Sequence, residues 1–547
     1  KSRGVSRIEA VHDYMSSGFT LKYIFFASIF ITATVKALES STVSNYTQFA
    51  TSSFGHHSML STLQIATSII SAICKPFLAK FSDLTSRPTT YVVVLTIYVI
   101  GYIIIACSPT ITAYVIGSAF VSVGDSGLEL LNSIIIADLT PLQYRGVVSG
   151  ILASPYLVTT WISGYIVQHF VAVNWRWGYG MFCILIPACL LPAIVIMFVL
   201  DHKAEKQGLK KLSANPLVEH KDKFFSLTTI KTALIEIDAF GLILLGFAFS
   251  LLLLPFSLYP TAENGWKNPS MIAMIIVGGI LFIAYCLYES LWAPFPSMPR
   301  RVLINKTFIC CVIIDFVYML AGYIRLLYFS SYTYVITNWS VKNWTYFSNT
   351  LTMGLCFFGV VAGIIHRLTH RYKLFQVFGL SVKIIGMGLF VMLTTQGINN
   401  GVLISSTILD SIGSAFSVIA TQVAAQAAVP HQDLATTISL LSLYSSIGAA
   451  IGSAIAAPIW SSKLTKYLGE YTNLNSTEIA EYLGSTEYAR SLPWGSQERN
   501  DALRAYNKTC YYLFVPALAL TFISLIAACF QTDFYLGKQL NCVEGEQ

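Results

Sequence analysis

Long apolar runs, each closed by a short polar connector, fill this sequence from residue 22 to residue 531. A helix that crosses a bilayer needs about 20 apolar residues. The spacing predicts about fourteen such helices, at 22–50, 58–80, 90–107, 110–137, 147–170, 179–200, 238–259, 271–290, 308–331, 346–366, 375–395, 402–428, 436–460 and 511–531. Two stretches interrupt the rhythm. Residues 201–237 form a charged linker, and residues 461–510 form a long segment between the last two helices. Within that segment Asn475 and Glu478 carry helix-start chemistry, which predicts short amphipathic helices there. The expected architecture is an all-α integral membrane protein. A tail (1–21) leads into a six-helix half (22–200), the linker (201–237), an extra helix pair with its connector (238–306), a second six-helix half (307–531) and a closing tail (532–547).

Composition agrees with that picture. Charged residues make up 11% of the chain and apolar ones 55%, whereas soluble domains carry about 25% charged residues. The formal charge of +7 resides largely in Lys and Arg of alternate connectors: Lys80 with Arg87, Arg145, the group from Lys203 to Lys231, Arg300 with Arg301 and Lys306, then Arg367 with Arg371 and Lys373. The positive-inside rule puts these connectors and both termini in the cytoplasm. The charge therefore reports membrane orientation, and no nucleic-acid partner is expected. N-x-[ST] sequons at Asn338, Asn343, Asn475 and Asn507 all fall on the expected outer side, and Asn305 falls on the inner side. The polar, basic start reads as a cytoplasmic tail and not as a signal peptide. No CxxC pair, phosphate-binding loop, HExxH helix or Ser/His/Asp arrangement occurs. A structural metal, an ATP-driven pump and an intramembrane enzyme are therefore not expected.

Ionisable groups inside the apolar runs are the candidate chemistry, because hydrocarbon tolerates them only with a partner or a function. Asp125 and Glu129 lie one turn apart on predicted helix 4. Like charges so close disfavour joint ionisation, which suits a pair that takes up and releases protons or binds cargo. Lys36, Lys75 and Arg325 are the intramembrane cations that could instead neutralise them permanently. Lys36 and Glu39 share a face of helix 1 and can pair locally. The polar stretch that follows, with Asn45 and Tyr46, is expected to line a cavity. Asp315 and Arg325 on helix 9 are too far apart to pair with each other. Tyr318 and Tyr323 lie beside them and suit a large, amide-rich cargo. Tyr332 and Tyr334 fit an interfacial aromatic belt. Lys383 and Asp410 are expected to form a buried pair between helices 11 and 12, and His56 and His57 to lie in a solvated loop.

An internal repeat organises these helices. Gly124 precedes Pro141 by the same spacing as Gly413 precedes Pro430, and the connectors TPLQYRGVVSGILA and VPHQDLATTISLLS align without a gap. Helix 4 then matches helix 12, with helices 7 and 8 inserted between two parallel six-helix repeats. The stretch Ala79-Lys-Phe-Ser-Asp83-Leu-Thr-Ser86-Arg87 resembles the G-x-x-x-D-x-x-G-R motif of the major facilitator superfamily, with both glycines replaced by small residues. Asn174-Trp175-Arg176-Trp177 is similar to its fourteen-helix branch. The strings GVSRIEA (4–10), WAPFPSMPRR (292–301) and VPHQD (429–433) resemble the fungal siderophore–iron transporter family.

That resemblance implies a secondary transporter that imports ferric siderophores of the hydroxamate type by proton symport. Asp83, Arg87 and Arg145 become gating candidates. Tyr506, Tyr511 and Tyr512 become candidates for capturing cargo at the outer segment. No cofactor is expected, because iron travels inside the chelator. The implied partners are the ferric siderophore, protons and the lipid bilayer, and the implied state is a monomer in the plasma membrane, or in an endosomal or vacuolar one. A haem importer or glutathione/proton exchanger of the same fold, and a receptor that binds without transporting, are the alternatives.

Overall fold

The computed structural model describes residues 19–53, 60–206, 231–232, 234–236, 238–259, 262–296, 302, 304–397, 399–430, 433–472, 474–484, 488, 490 and 492–537. Most of the linker, together with His56 and His57, lies outside the described residues, as does the side chain of Asp83. Fourteen described helices are long and apolar enough to cross a bilayer. They are α1 (Ile24–Thr47), α2 (Ser61–Ser82), α3 (Arg87–Ala106), α4 (Ile111–Ala137), α5 (Leu142–Phe170), α6 (Trp175–Leu200), α7 (Ala239–Leu258), α8 (Pro269–Leu291), α9 (Lys306–Ile336), α10 (Thr350–Thr369), α11 (Lys373–Gln396), α12 (Asn400–Ala427), α13 (Leu434–Tyr471) and α14 (Gln497–Phe530).

Polar side chains at the turns set many of the starts, because the first amides of a helix have no partner within it. Ser86, Thr110, Asn174, Asn268, Asn305 and Asn399 each accept from an amide of the first turn of the helix that follows. Three spans are broken: α5 between Ala153 and Tyr156, α6 at Met181, and α9 between Leu326 and Phe329. The last two helices differ from the sequence expectation. Half of residues 461–510 continues α13 or begins α14 early, leaving residues 472–496 as the connector. Hydropathy marks where the bilayer ends, but nothing breaks the helix between Ser461 and Tyr471. At the other side Ser496 caps α14 just after Gly495, whose φ is +85°. The connector holds the helix Ser476–Gly484. It opens on the expected reciprocal cap: Asn475 accepts from the Glu478 amide at 2.9 Å, and Glu478 accepts from the Asn475 amide at 2.8 Å.

Two bundles with separate cores result. Tyr91, Tyr98, Tyr102, Leu131, Tyr179 and Phe182 belong to the core of α1–α6. Tyr332, Phe390, Leu464, Tyr506 and Phe514 belong to the core of α9–α14. The inserted α7 seats Leu242 and Leu245 against Ala72 of α2 and Leu443 and Ile447 of α13, so it covers one side of the junction. α8 packs on α7, with Ile276, Ile280, Ile283 and Leu291 turned outward, each more than half exposed. The repeat is visible in the packing. An added Cβ at Gly124 would lie 2.5 Å from Cβ of Tyr98 on α3, and one at Gly413 would lie 2.6 Å from Cβ of Lys383 on α11. Each glycine thus permits the close approach of its helix to the one before it.

The halves touch at both ends. At the end carrying the 472–496 connector, the loop end, Asn349 reaches Ser163 at 3.5 Å and Lys342 donates to the Tyr165 hydroxyl at 2.7 Å. At the opposite end, where the α6–α7 linker joins, α5 meets α10 through Gly146 and Gly363. There the chain also closes on itself. After α14, residues 531–537 run as an extended strap. Leu536 is buried and bonded to His370, Tyr535 stacks on the His370 ring at 5.0 Å, and Asp533 pairs with Arg371. The Gly537 carbonyl accepts from the Gln143 amide of α5 at 3.2 Å. Pro141, which precedes α5, offers no side-chain cap, so the tail of the second half satisfies an amide of the first.

A Cβ at Gly363 would sit 2.6 Å from the Gly146 backbone, whereas one at Gly359 would meet only Ile419 at 3.9 Å. Gly363→Val should therefore cost ~1–3 kcal/mol and lower the thermal midpoint of the detergent-purified protein. Gly359→Ala should leave it unchanged.

Candidate functional site

Between the halves, nearer the linker end, lies a cleft with about 760 Å³ of space including open solvent. Lys75, Glu129, Ser133, Arg145, Ser149, Asp315, Gln422, Gln426, Thr437 and Ser442 line it, alternating with Leu130, Ile136, Ile419, Val423, Ile438 and Leu441. Both halves thus supply polar groups over an apolar floor, a composition suited to a small-molecule ligand.

The two acids of α4 do not face each other in a shared site. Each has its own lysine from another helix. Asp125 pairs with Lys36 of α1, and Glu129 pairs with Lys75 of α2 at 2.8 Å. Their side chains are 51% and 69% exposed, while Lys36 and Lys75 are 18% and 8% exposed. The anions therefore stand at the exposed edge and the cations behind them. Lys36 also holds Glu39, as the local spacing predicts, and Glu39 is buried with the Tyr102 hydroxyl on its other oxygen. Asp315 lines the cleft from α9, within hydrogen-bond reach of Ser445 on α13.

Arg325 is not a partner of these acids. It pairs with Asp410 of α12 at 2.6 Å, and Lys383 of α11 approaches the same carboxylate at 3.3 Å, all three nearly fully buried. Lys383 also donates to Ser414 at 2.9 Å and lies 4.0 Å from the centre of the Tyr318 ring. Arg325 lies 4.7 Å over Phe390. The expected Lys383–Asp410 pair is thus one part of a triad of two cations and one anion, and the aromatic faces stabilise the surplus charge. Tyr318 supports this triad, and Tyr323 sits between α9 and α2 beside Gln64.

Other candidates lie elsewhere. Asn45 donates to the Ser41 carbonyl of its own helix at 2.9 Å, and Tyr46 is buried against Gly178 and Tyr179. Both belong to the interior of the first bundle and not to the cleft: an intrahelical bond from Asn and an aromatic core account for the polar look of this stretch. Arg145 reaches from α5 to Gln426 of α12 at 3.3 Å and to the Ala137 carbonyl at 2.8 Å, which ties the halves at the cleft mouth. Arg87 is buried and donates to Ser82 at 2.7 Å across the α2–α3 turn. Tyr506 is buried against Trp460 beneath the helix Ser476–Gly484. Tyr511 is half-buried, and Tyr512 stacks on Tyr467 at the surface. Tyr332, expected in an interfacial belt, is buried instead and donates to Asn507 at 2.7 Å. The sequence reading passed over Gln422 and Gln426. They stand one turn apart in an apolar run, which is the signal that could have found them. Among the described residues, no group of three or more His, Cys, Asp or Glu side chains gathers where it could hold a metal ion.

Known proteins share this architecture. The family model of the Major Facilitator Superfamily matches residues 24–453. A low affinity heme transporter of Schizosaccharomyces pombe, str3, is 50% identical over 552 residues, covering 100% of this chain and 88% of its own length. A siderophore transporter of Zymoseptoria tritici is 40% identical over 553 residues, with 99% and 85% covered. The siderophore transporter fer7 of Mycosarcoma maydis is 39% identical over 564 residues, with the same shares covered. Among solved structures, the proton:xylose symporter XylE superimposes with a TM-score of 0.53 at 11% identity, covering 97% of this chain and 99% of that one. The human organic anion transporter MFSD10 gives 0.51 at 12%, with 91% and 98% covered. At such identities these two show the fold alone.

Removing one member of a buried charge group strands the others, at a cost of about 3–5 kcal/mol. Asp410→Asn should accordingly deplete folded protein at the membrane. Adding Lys383→Met to it should recover part of the loss in a thermal-unfolding assay.

Proposed function

The chain belongs to the fungal siderophore transporter family of the major facilitator superfamily, and on that premise we propose that it imports a preformed ferric siderophore of the hydroxamate type by proton symport. The observation that carries this reading is the placement of Asp125 and Glu129. Glu129 lines the cleft, Asp125 is exposed one turn away on the same helix, and each is held by a lysine of a different helix. A proton on Asp125 cancels the charge that binds Lys36 and frees α4 from α1. A proton on Glu129 frees α4 from α2 in the same way. Protonation and helix movement are thus the same event, which is what coupling requires.

The cleft lining supports the cargo class. Amides and hydroxyls of Gln422, Gln426, Ser133, Ser149, Thr437 and Ser442 match the carbonyl- and amide-rich surface of a hydroxamate chelate. The iron in such a complex is already fully coordinated, so the protein needs no ligand set for it. By the positive-inside rule the linker end faces the cytoplasm and the loop end faces outside, in the plasma membrane or an internal one. Haem is the second reading. The half-identical relative named a heme transporter favours it, and the apolar floor of the cleft would meet a porphyrin face.

Uptake of radiolabelled iron by iron-starved yeast lacking its own carriers separates these readings. Iron is offered as a ferric trihydroxamate or as haem, with and without a protonophore. Trihydroxamate uptake that the protonophore abolishes is expected. Uptake of haem alone would move the cargo to the second reading, and binding without accumulation would make the protein a receptor. In the same cells Asp125→Asn and Glu129→Gln should each cut accumulation by about tenfold or more, since ~1.4 kcal/mol of lost coupling suffices for that, at normal surface expression. Wild-type accumulation by both variants would sink the coupling role of these acids.

A further inference from the structure

Glu39 stands behind the cleft, not in it. Its side chain is only 6% exposed, and its carboxylate is shared between Lys36 and the Tyr102 hydroxyl. From Tyr102 a file of tyrosines leads through the packing of α1, α3, α4 and α6 toward the loop end. The Tyr98 and Tyr102 rings lie 4.8 Å apart, Tyr102 meets Tyr179 at 6.1 Å, and Tyr179 meets Tyr46 at 5.6 Å. The Tyr179 hydroxyl is 2.9 Å from that of Tyr114, which donates on to Thr47 at 3.4 Å. Tyr46, Tyr98, Tyr102 and Tyr179 are fully buried and Tyr114 nearly so, while Thr47 at the outer end is half-buried.

Packing alone does not call for hydroxyls here, since phenylalanine would fill the same volume without the cost of burying a polar group. One of them, Tyr46, has no hydrogen-bond partner among the described residues, and the Tyr98 hydroxyl has Glu39 and Tyr102 as its polar neighbours without a close bond to either. Tyr98 packs on Tyr102 and Tyr46 on Tyr179, on either side of the Tyr102–Tyr179 ring contact, the step between Glu39 and Thr47 that no direct hydrogen bond spans. Buried hydroxyls of this kind are where internal water binds. Gly178 makes room for one of them, because a Cβ there would lie 3.0 Å from the Tyr46 hydroxyl and closer still to its ring.

We propose that this file of hydroxyls, completed by water at Tyr46 and Tyr98, is a proton wire from the loop end to Glu39 that bypasses the cargo cleft. The proposal rests on the proton-coupled reading above. A phenol both donates and accepts. Once the Tyr114 hydroxyl has turned inward from Thr47, each oxygen takes a hydrogen from its outer neighbour and gives its own to the inner one. One proton arrives at Glu39, one is drawn from outside, and the hydroxyls rotate back before the next transfer. Around Glu39 stand Lys36 of its own helix, Asp125 of α4, and Tyr98 and Tyr102 of α3, and Tyr156 of α5 lies near Lys36. A neutral Glu39 leaves Lys36 to Asp125 alone, which connects the wire to the exposed acid of α4 one turn from Glu129. Cargo filling the cleft then cannot block proton entry.

The test uses the full chain in liposomes, with radiolabelled iron as ferric trihydroxamate and, in a second arm, as haem. Two signals are read: accumulation driven by an inward proton gradient, and exchange of the same chelate without any gradient. Tyr102→Phe and Tyr179→Phe should keep exchange within about twofold and lower gradient-driven accumulation by about tenfold or more, as expected on removing a proton-transfer group. Tyr46→Phe and Tyr98→Phe should act in the same direction. Tyr332→Phe, a buried hydroxyl of the other half, should change neither signal. Wild-type accumulation in the four variants, with Asp125→Asn defective, would overturn the wire and leave the coupling reading standing. Loss of exchange together with accumulation would also overturn it, by assigning the hydroxyls to packing. A wild-type protein indifferent to the gradient would overturn both readings at once.

Discussion

An ionised side chain in hydrocarbon must find a counter-charge, and the arrangement of this bundle follows from that requirement. Six helices meet through such groups: α1 and α4 at Lys36 and Asp125, α2 and α4 at Lys75 and Glu129, and α9, α11 and α12 at Arg325, Lys383 and Asp410. Apolar packing between lipid-soluble helices gives little preference for one neighbour over another, because lipid tails are as apolar as leucine. The ion pairs supply that preference. The same pairs are the contacts a proton can undo, so what specifies the architecture also makes part of it reversible.

The two halves use this constraint differently. Aligned through Gly124 and Gly413, the positions matching Asp125 and Glu129 are Ser414 and Val418. The glycines still perform the same service in both halves, and so do the polar partners between adjacent helices: Tyr91 bonds Asn132 at 2.6 Å, and Gln376 bonds the matching Thr421 at 2.8 Å. The charged groups are what differ: the acids of α4 have no counterpart in α12, and Asp410 aligns with Val121. The first half therefore holds two of its acids exposed, each backed by a buried lysine. The second half seals its triad under aromatic rings, away from solvent. A repeated scaffold thus carries its acids exposed in one half and buried in the other.

Much of this was legible in the chain. Apolar runs located every crossing helix, because the bilayer imposes length and composition on each one independently. The local pairs were legible too: Lys36 with Glu39 by helical spacing, and Asn475 with Glu478 by capping chemistry. Partners far apart in sequence were not. Nothing local says that Arg325 prefers Asp410 to Asp125, since that choice depends on how helices are arranged around one another. Nor does local polarity distinguish a cavity from an aromatic core, so Asn45 and Tyr46 read as cleft residues although their bonds are made within one bundle. The ends of α13 and α14 failed for a related reason: a helix leaving the membrane loses its hydropathy signal but keeps its hydrogen bonds.

The strap after α14 adds a mechanical link. Its last described residue, Gly537, is bonded to the opening turn of α5, and Tyr535 and Leu536 are clasped by the α10–α11 turn. Parting the halves at this end must unfasten the Gln143 amide while the His370 clasp holds. Residues 531–537 are thereby a tie-rod between the bundles: a displacement of α5 away from α10 is resisted by a segment that belongs to neither helix.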